Sequence, residues 1–88
     1  MPSREVAITN KRGLHARASA RFVTLASELA ADIRVDKDGS SVVGTSIMGL
    51  MMLGAAMGDT IQIVTEGEGA DEALSRLVAL VESRFGED

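Results

Sequence analysis

Two hydrophobic periodicities alternate along the 88 residues of this chain, and their order confines it to a mixed fold in which helices cover a sheet. Val6 and Ile8 alternate with Glu5, Ala7 and Thr9, which predicts a first strand over residues 4–9 with one face buried. Asn10-Lys11-Arg12-Gly13 then breaks the pattern. Over residues 16–30 the apolar Phe22, Val23, Leu25, Ala26, Leu29 and Ala30 follow helical spacing, and Arg17, Arg21, Thr24 and Glu28 fall on the opposite side. Ile33 and Val35 predict a second strand, Lys37-Asp38-Gly39-Ser40 carries an Asp-Gly turn signal, and Ser41-Val42-Val43 returns as a third, so the pair forms a hairpin. Ser46 suits the N-cap of a short helix over about residues 47–53, and Gly54 is placed to end it. Beyond Gly58-Asp59, a fourth strand is expected at residues 60–66, with Ile61, Ile63 and Thr65 on one face. Leu74, Leu77, Val78, Val81 and Phe85 trace a last helix over about residues 70–84, where Asp71 and Glu72 suit the positive end of the dipole. The order β-α-β-β-α-β-α is that of one α+β domain over residues 1–88, most simply an antiparallel sheet with helices on one face.

A chain of this length buries only a modest core and leaves little room for an internal substrate cavity, so its work is expected near the surface. It has no Cys, which excludes a disulfide framework and thiolate metal sites and leaves folding to apolar packing. No apolar signal core follows Met1-Pro2-Ser3-Arg4-Glu5, and the most apolar stretch, residues 47–57, is too short and glycine-interrupted to span a bilayer. A cytoplasmic protein without membrane insertion is expected. A net charge of −4 and only two aromatic residues, Phe22 and Phe85, argue against a nucleic-acid partner.

The distribution of charge is more informative than its sum. Lys11, Arg12, Arg17 and Arg21 lie between residues 10 and 27, an interval without Asp or Glu, so an acidic protein carries a basic patch around its one histidine, His15. A neutral imidazole is a good nucleophile, and at the start of a helix the free backbone N–H groups and the dipole form an anion site. Arg17 is out of place there, since a cation in the first turn opposes the dipole at a cost of order ~0.3–1 kcal/mol, a penalty an anion would remove. Its guanidinium could hold phosphate oxygens with a fork of donors. Simple helix capping by His15 and a solvated Arg17 remain an alternative. A metal site is disfavoured by the four flanking cations and the lack of a nearby carboxylate, and hydrolytic catalysis by the lack of a second acid or base beside His15.

Gly13-Leu14-His15-Ala16-Arg17 resembles the active-site signature of the HPr family, the histidine-containing phosphocarriers of the phosphoenolpyruvate phosphotransferase system. Residues 44–54, Gly-Thr-Ser-Ile-Met-Gly-Leu-Met-Met-Leu-Gly, resemble the family's regulatory-serine region at the usual separation, and the similarity of organisation covers essentially the whole chain. The resemblance implies an open-faced β-sandwich, a four-stranded antiparallel sheet with three helices on one face. It implies a carrier rather than an enzyme, with no cofactor. Enzyme I would phosphorylate His15 on Nδ1, with the Ala16 N–H and Arg17 on the phosphate side, and an enzyme IIA domain would take the group. A dedicated kinase would phosphorylate Ser46. Many family members have Pro and Ala where this chain has Ala18 and Ser19, which loosens the first turn slightly without removing nucleophile or cation.

Ser46 is also explained by capping alone. The following Ile47, Met48, Leu50, Met51, Met52 and Leu53 are apolar almost all round, and four of the five Met residues lie between Met48 and Met57. Flexible Met surfaces suit binding to several partners. Arg12 and Arg21 are expected to steer acidic partners while Ile47, Met48 and Met51 make the apolar contact, with a monomer sufficient for the chemistry. A binding-only regulatory module is the competing function, and within the carrier reading both sugar uptake and a nitrogen-related regulatory branch stay open.

Overall fold

The computed structural model describes residues 1–87. Its elements follow the expected order: β1 (Ser3–Ala7), α1 (Ala16–Ser27), β2 (Asp32–Lys37), β3 (Ser40–Val43), α2 (Ile47–Met52), β4 (Thr60–Glu66) and α3 (Ala70–Glu82). The strands lie side by side as β1-β4-β2-β3, and every neighbouring pair is antiparallel. This is the four-stranded, open-faced α+β sandwich, with three helices on one side.

Register follows from the period-two pattern. Val6 pairs with Ile61, Val35 with Ile63 and Ile33 with Thr65, and all six side chains are buried beneath the helices. The intervening row, Glu5, Gln62, Asp36 and Ser41, faces the open side. A one-residue slip would carry those polar groups into the core, so the register is strongly specified. From the helical layer come Phe22 of α1, Leu50 of α2, and Leu77 and Val81 of α3, all with essentially no exposed surface. The β2–β3 hairpin turns through Asp38 (φ 50°) and Gly39 (φ 85°), the two positive angles that a type I′ turn requires.

Element ends differ from the periodicity for identifiable reasons. β1 stops at Ala7 because Ile8, although buried, takes its backbone partners from the turn before β4: its N–H donates to Asp59 O and its carbonyl accepts from Gly58 N–H, both at 2.8 Å. α1 ends at Ser27, not at residue 30, since Glu28 and Leu29 donate to Leu25 O and Ala26 O, the tight i→i−3 bonds that close a last turn. α2 ends one residue early, with Leu53 as C-cap and Gly54 at φ 67° in the left-handed position that follows many helices.

The difference that changes the backbone path is at α3, which stops at Glu82. Arg84, Phe85 and Gly86 then take φ of 60°, 55° and 75°, a left-handed turn in which two residues carry a Cβ. Left-handed backbone costs about 1–2 kcal/mol per non-glycine residue. Phe85 is nonetheless fully buried, and burying a Phe stabilises by about 1.5–3 kcal/mol, which offsets much of the strain of the two residues. Helical spacing therefore identified Phe85 as a core residue but misplaced its backbone. Among the described residues, no helix is long and apolar enough to cross a membrane.

Candidate functional site

The segment ahead of α1 is pinned before it reaches His15. Gly13 has φ 62°, and a Cβ there would lie 2.2 Å from Ala55 O and 2.8 Å from Ala56 Cα, so both conformation and close approach require glycine. Leu14 N–H donates to Ala55 O at 2.9 Å, tying the loop to the segment that follows α2. Ser19, fully buried, donates its hydroxyl to Leu14 O at 3.2 Å. The Ala18-Ser19 pair is thus built into the site's support, with Ala18 in the core and Ser19 holding the loop.

His15 is the N-cap of α1, extended at φ −76° and ψ −176°, and its carbonyl accepts from Ser19 N–H at 2.9 Å. Ring Nδ1 accepts from the Arg17 backbone N–H at 3.3 Å, taking the place of a capping oxygen. Ring Nε2 lies 2.8 Å from Glu87 Oε2. A nitrogen facing a carboxylate carries the proton and a nitrogen facing an N–H carries the lone pair, so these partners assign the Nε2–H tautomer, with a nucleophilic Nδ1 directed at the helix start. Ala16, the first residue of α1, contributes one of the N–H groups that a helix cannot satisfy internally.

The reading of no acid or base beside His15 is overturned by Glu87. Its carboxylate arrives from a sequence separation of 72 residues, because the left-handed turn after α3 folds the chain back over the start of α1. Glu87 Oε1 also accepts from Asn10 Nδ2 at 3.0 Å, and the same amide donates to Gly13 O at 2.8 Å, so buried Asn10 links both sides of the histidine. Neither residue belongs to a sequence pattern that marks a site. The one available signal is a polar Asn10 directly after a strand-to-loop break.

Burial alone would raise the affinity of the Glu87 carboxyl for its proton, but hydrogen bonds from Asn10 and His15 and the charges of His15 and Arg17 outweigh it and hold it below the ordinary value of 4.5. As the pH falls through this region the unfolded chain takes up a proton before the folded one does. Stability from this contact is therefore complete above pH 4.5 and is lost progressively below it. Chemical unfolding of wild type and Glu87→Gln should show a wild-type advantage at neutral pH that shrinks as the pH is lowered past 4.5. An advantage that stays constant down to full protonation would contradict the assigned contact.

Lys11, Arg12, Arg17 and Arg21 line one open cleft of about 450 Å³ with Gly86 and Glu87, so four cations separated in sequence share one surface beside His15. Arg12 and Arg17 are exposed. Arg21 is partly committed, since its Nη1 donates to the carbonyl of Phe85 and braces the turn that carries Glu87.

Ser46 caps α2 with φ −109° and ψ 109°, its Oγ accepting from Gly49 N–H at 3.0 Å, and it is half-buried. Ile47, Met48 and Met51 are exposed, and α2 packs beside α1, which brings the apolar residues and the basic cleft into one region of the molecule.

A model of the family described as "PTS HPr component phosphorylation site" matches residues 2–83. The phosphocarrier protein HPr of Pseudomonas aeruginosa is 49% identical over 88 residues, covering 99% of this chain and 98% of that protein. The phosphocarrier protein NPr of Shewanella violacea is 43% identical over 84 residues, with 96% and 92% covered. The crystal structure of HPr-C-His from Thermoanaerobacter tengcongensis superposes with a TM-score of 0.95 at 44% identity, covering 100% of this chain and 99% of that one. Sequence and architecture agree from end to end, and the chain belongs to the HPr family of phosphotransferase-system phosphocarriers, proteins that carry a phosphoryl group rather than catalyse a reaction of their own.

Proposed function

We propose that the chain works as one domain in the cytoplasm, accepting a phosphoryl group from phosphorylated enzyme I on His15 Nδ1 and passing it to a histidine of an enzyme IIA domain. The observation that carries this reading is the ring's hydrogen bonding: Nε2–H is held by Glu87 and the Nδ1 lone pair is left at the N-terminus of α1. In the forward step the Nδ1 lone pair forms the bond to phosphorus as the bond to the donor breaks. The ring keeps its Nε2 proton and gains positive charge, which the Glu87 carboxylate stabilises. The phosphoryl oxygens take the place Nδ1 held, accepting from the N–H groups of Ala16 and Arg17, and the Arg17 guanidinium completes the cradle. The onward step reverses these changes.

NMR of protein carrying 15N-labelled imidazole, incubated with phosphoenolpyruvate and a cognate enzyme I, tests the assignment. Phosphorus coupled to Nδ1 is expected; phosphorylation at Nε2 would refute it. Identifying which enzyme IIA domain accepts the group distinguishes sugar uptake from the nitrogen-related branch.

Docking is assigned to the same region. Arg12, Arg17 and Arg21 attract acidic partners, and Ile47, Met48 and Met51 supply the apolar contact. The carrier acts as a monomer. A kinase acting on Ser46 would add roughly two negative charges at the start of α2, favourable for the helix and unfavourable for an acidic partner. Ser46→Asp should keep the cap and the fold while slowing phosphoryl transfer from enzyme I by about tenfold or more, measured as kcat/KM. A wild-type value would eliminate the regulatory role.

A further inference from the structure

The side chains most open to oxidation are unusually concentrated. The chain has no Cys, no Trp and no Tyr, and five Met. Met48, Met51, Met52 and Met57 are 68%, 40%, 79% and 58% exposed, and all four lie on α2 or just beyond it. Met48, Met51 and Met52 stand at i, i+3 and i+4, which aligns them as one stripe on the solvent face of α2, while Leu50 alone of that helix points into the core. Elsewhere the described residues expose a single thioether, Met1. With no thiol in the chain to react first, a peroxide encountering this protein finds its reactive sulfurs on one patch.

We propose that Met48, Met51 and Met52 form a reversible oxidation site at which hydroperoxides weaken docking of the phosphoryl donor. This rests on the apolar docking role assigned above to Met48 and Met51. A thioether lone pair attacks the terminal hydroxyl oxygen of the hydroperoxide, the S–O bond forms and the O–O bond breaks, and the proton of that hydroxyl passes to the departing oxygen, which leaves as water or an alcohol. Sulfur is oxidised by two electrons and the peroxide reduced by two. The product sulfoxide is polar, and pressing it against an apolar partner without a hydrogen bond is unfavourable. Because Leu50 carries the core contact of α2 and the stripe does not, the fold survives, and His15 keeps its nucleophile. Methionine sulfoxide reductases reverse the change.

The test treats the full chain with hydrogen peroxide, removes the oxidant with catalase, locates the added oxygens by peptide mass spectrometry and measures transfer from phosphorylated enzyme I. Oxygen on Met48, Met51 and Met52 is expected to raise KM for enzyme I about tenfold with a smaller change in kcat and an unaltered unfolding midpoint, and reductase treatment should restore KM. A Met48→Leu, Met51→Leu, Met52→Leu variant, compared with its own untreated rate, should be insensitive to peroxide. Unchanged KM after full oxidation of the stripe would overturn the proposal, as would oxidation confined to Met1 and Met57. Met48→Asp with Met51→Asp separates the two layers. If that variant docks poorly while the oxidised wild type docks normally, the docking role stands and the oxidation site falls. If the Asp variant docks normally, the docking role itself falls.

Discussion

Replacement of His15 by Ala is expected to abolish phosphorylation: after incubation with phosphoenolpyruvate and a cognate enzyme I, no acid-labile phosphate should remain on the protein. His15 is the only histidine of the chain, and no Cys offers another soft nucleophile. The substitution removes the acceptor nitrogen without removing what positions it. Gly13 stays seated on Ala55, Leu14 keeps its backbone bond to Ala55 O, and the residue 15 carbonyl still accepts from Ser19 N–H. Lost with the ring are the cap contact to Arg17 N–H, worth about 1 kcal/mol, and the contact with Glu87. A cooperative thermal transition, lowered by a few degrees, should accompany the loss of transfer. Persistent acid-labile phosphate on the folded variant would refute the acceptor assignment; phosphoserine at Ser46 is acid-stable and is not mistaken for it.

The second large effect falls far from His15 in sequence. Phe85→Ala should destabilise the protein by about 3–5 kcal/mol, because it empties a fully buried aromatic site in a small core. That is a large share of the about 5–15 kcal/mol available to a domain of ordinary stability. Urea unfolding measures it, and a cost below about 1 kcal/mol would contradict the anchoring role of the side chain. There is a consequence at His15 as well. Phe85 burial is what holds Arg84 and Phe85 in left-handed backbone, and that turn delivers Glu87 to Nε2. With the anchor gone, the strained turn relaxes and the carboxylate withdraws. The 15N shift of His15 Nε2 in the folded fraction should move toward that of Glu87→Ala, in which the carboxylate is removed but Phe85 remains.

Both effects bear on how the carrier is built. His15 is a helix cap in which Nδ1 replaces an oxygen, so the lone pair that satisfies a helix N–H is the same one that the proposed transfer uses to attack phosphorus. Arg17, energetically out of place in an isolated helix start, lines the same cleft as the Glu87 carboxylate, and in the proposed transfer the phosphoryl group would supply the anion it lacks. The stripe on α2 has no comparable internal task, which leaves it available to other proteins and to oxidants.

Much of this was legible in the residues. The interleaved periods of Val6, Ile8, Phe22, Ile61, Ile63 and Leu77 defined which faces are buried, and each of these side chains is in the core. Asp38-Gly39 and Ser46 marked their turn and cap correctly, because both signals act within four residues. His15 and its basic neighbours could be recognised as a potential anion site for the same reason: a helix start is a local feature, and Arg17 lies two positions away.

What the sequence by itself determined, then, was what short-range geometry governs: element order, buried faces, the hairpin turn and the caps, with His15 marked as the candidate nucleophile by its place at a helix start. Tertiary structure alone decided the sheet order β1-β4-β2-β3, the early ends of α1 and α3, and the carboxylate on His15. Hydrophobic periodicity specifies that Phe85 is buried but not the backbone path that buries it, and it carries no information about where the next polar side chain lands. Glu87 reaches Nε2 only because core packing supports a left-handed turn that local propensity opposes. That contact, and with it the tautomer that frees Nδ1, is a property of the packed chain.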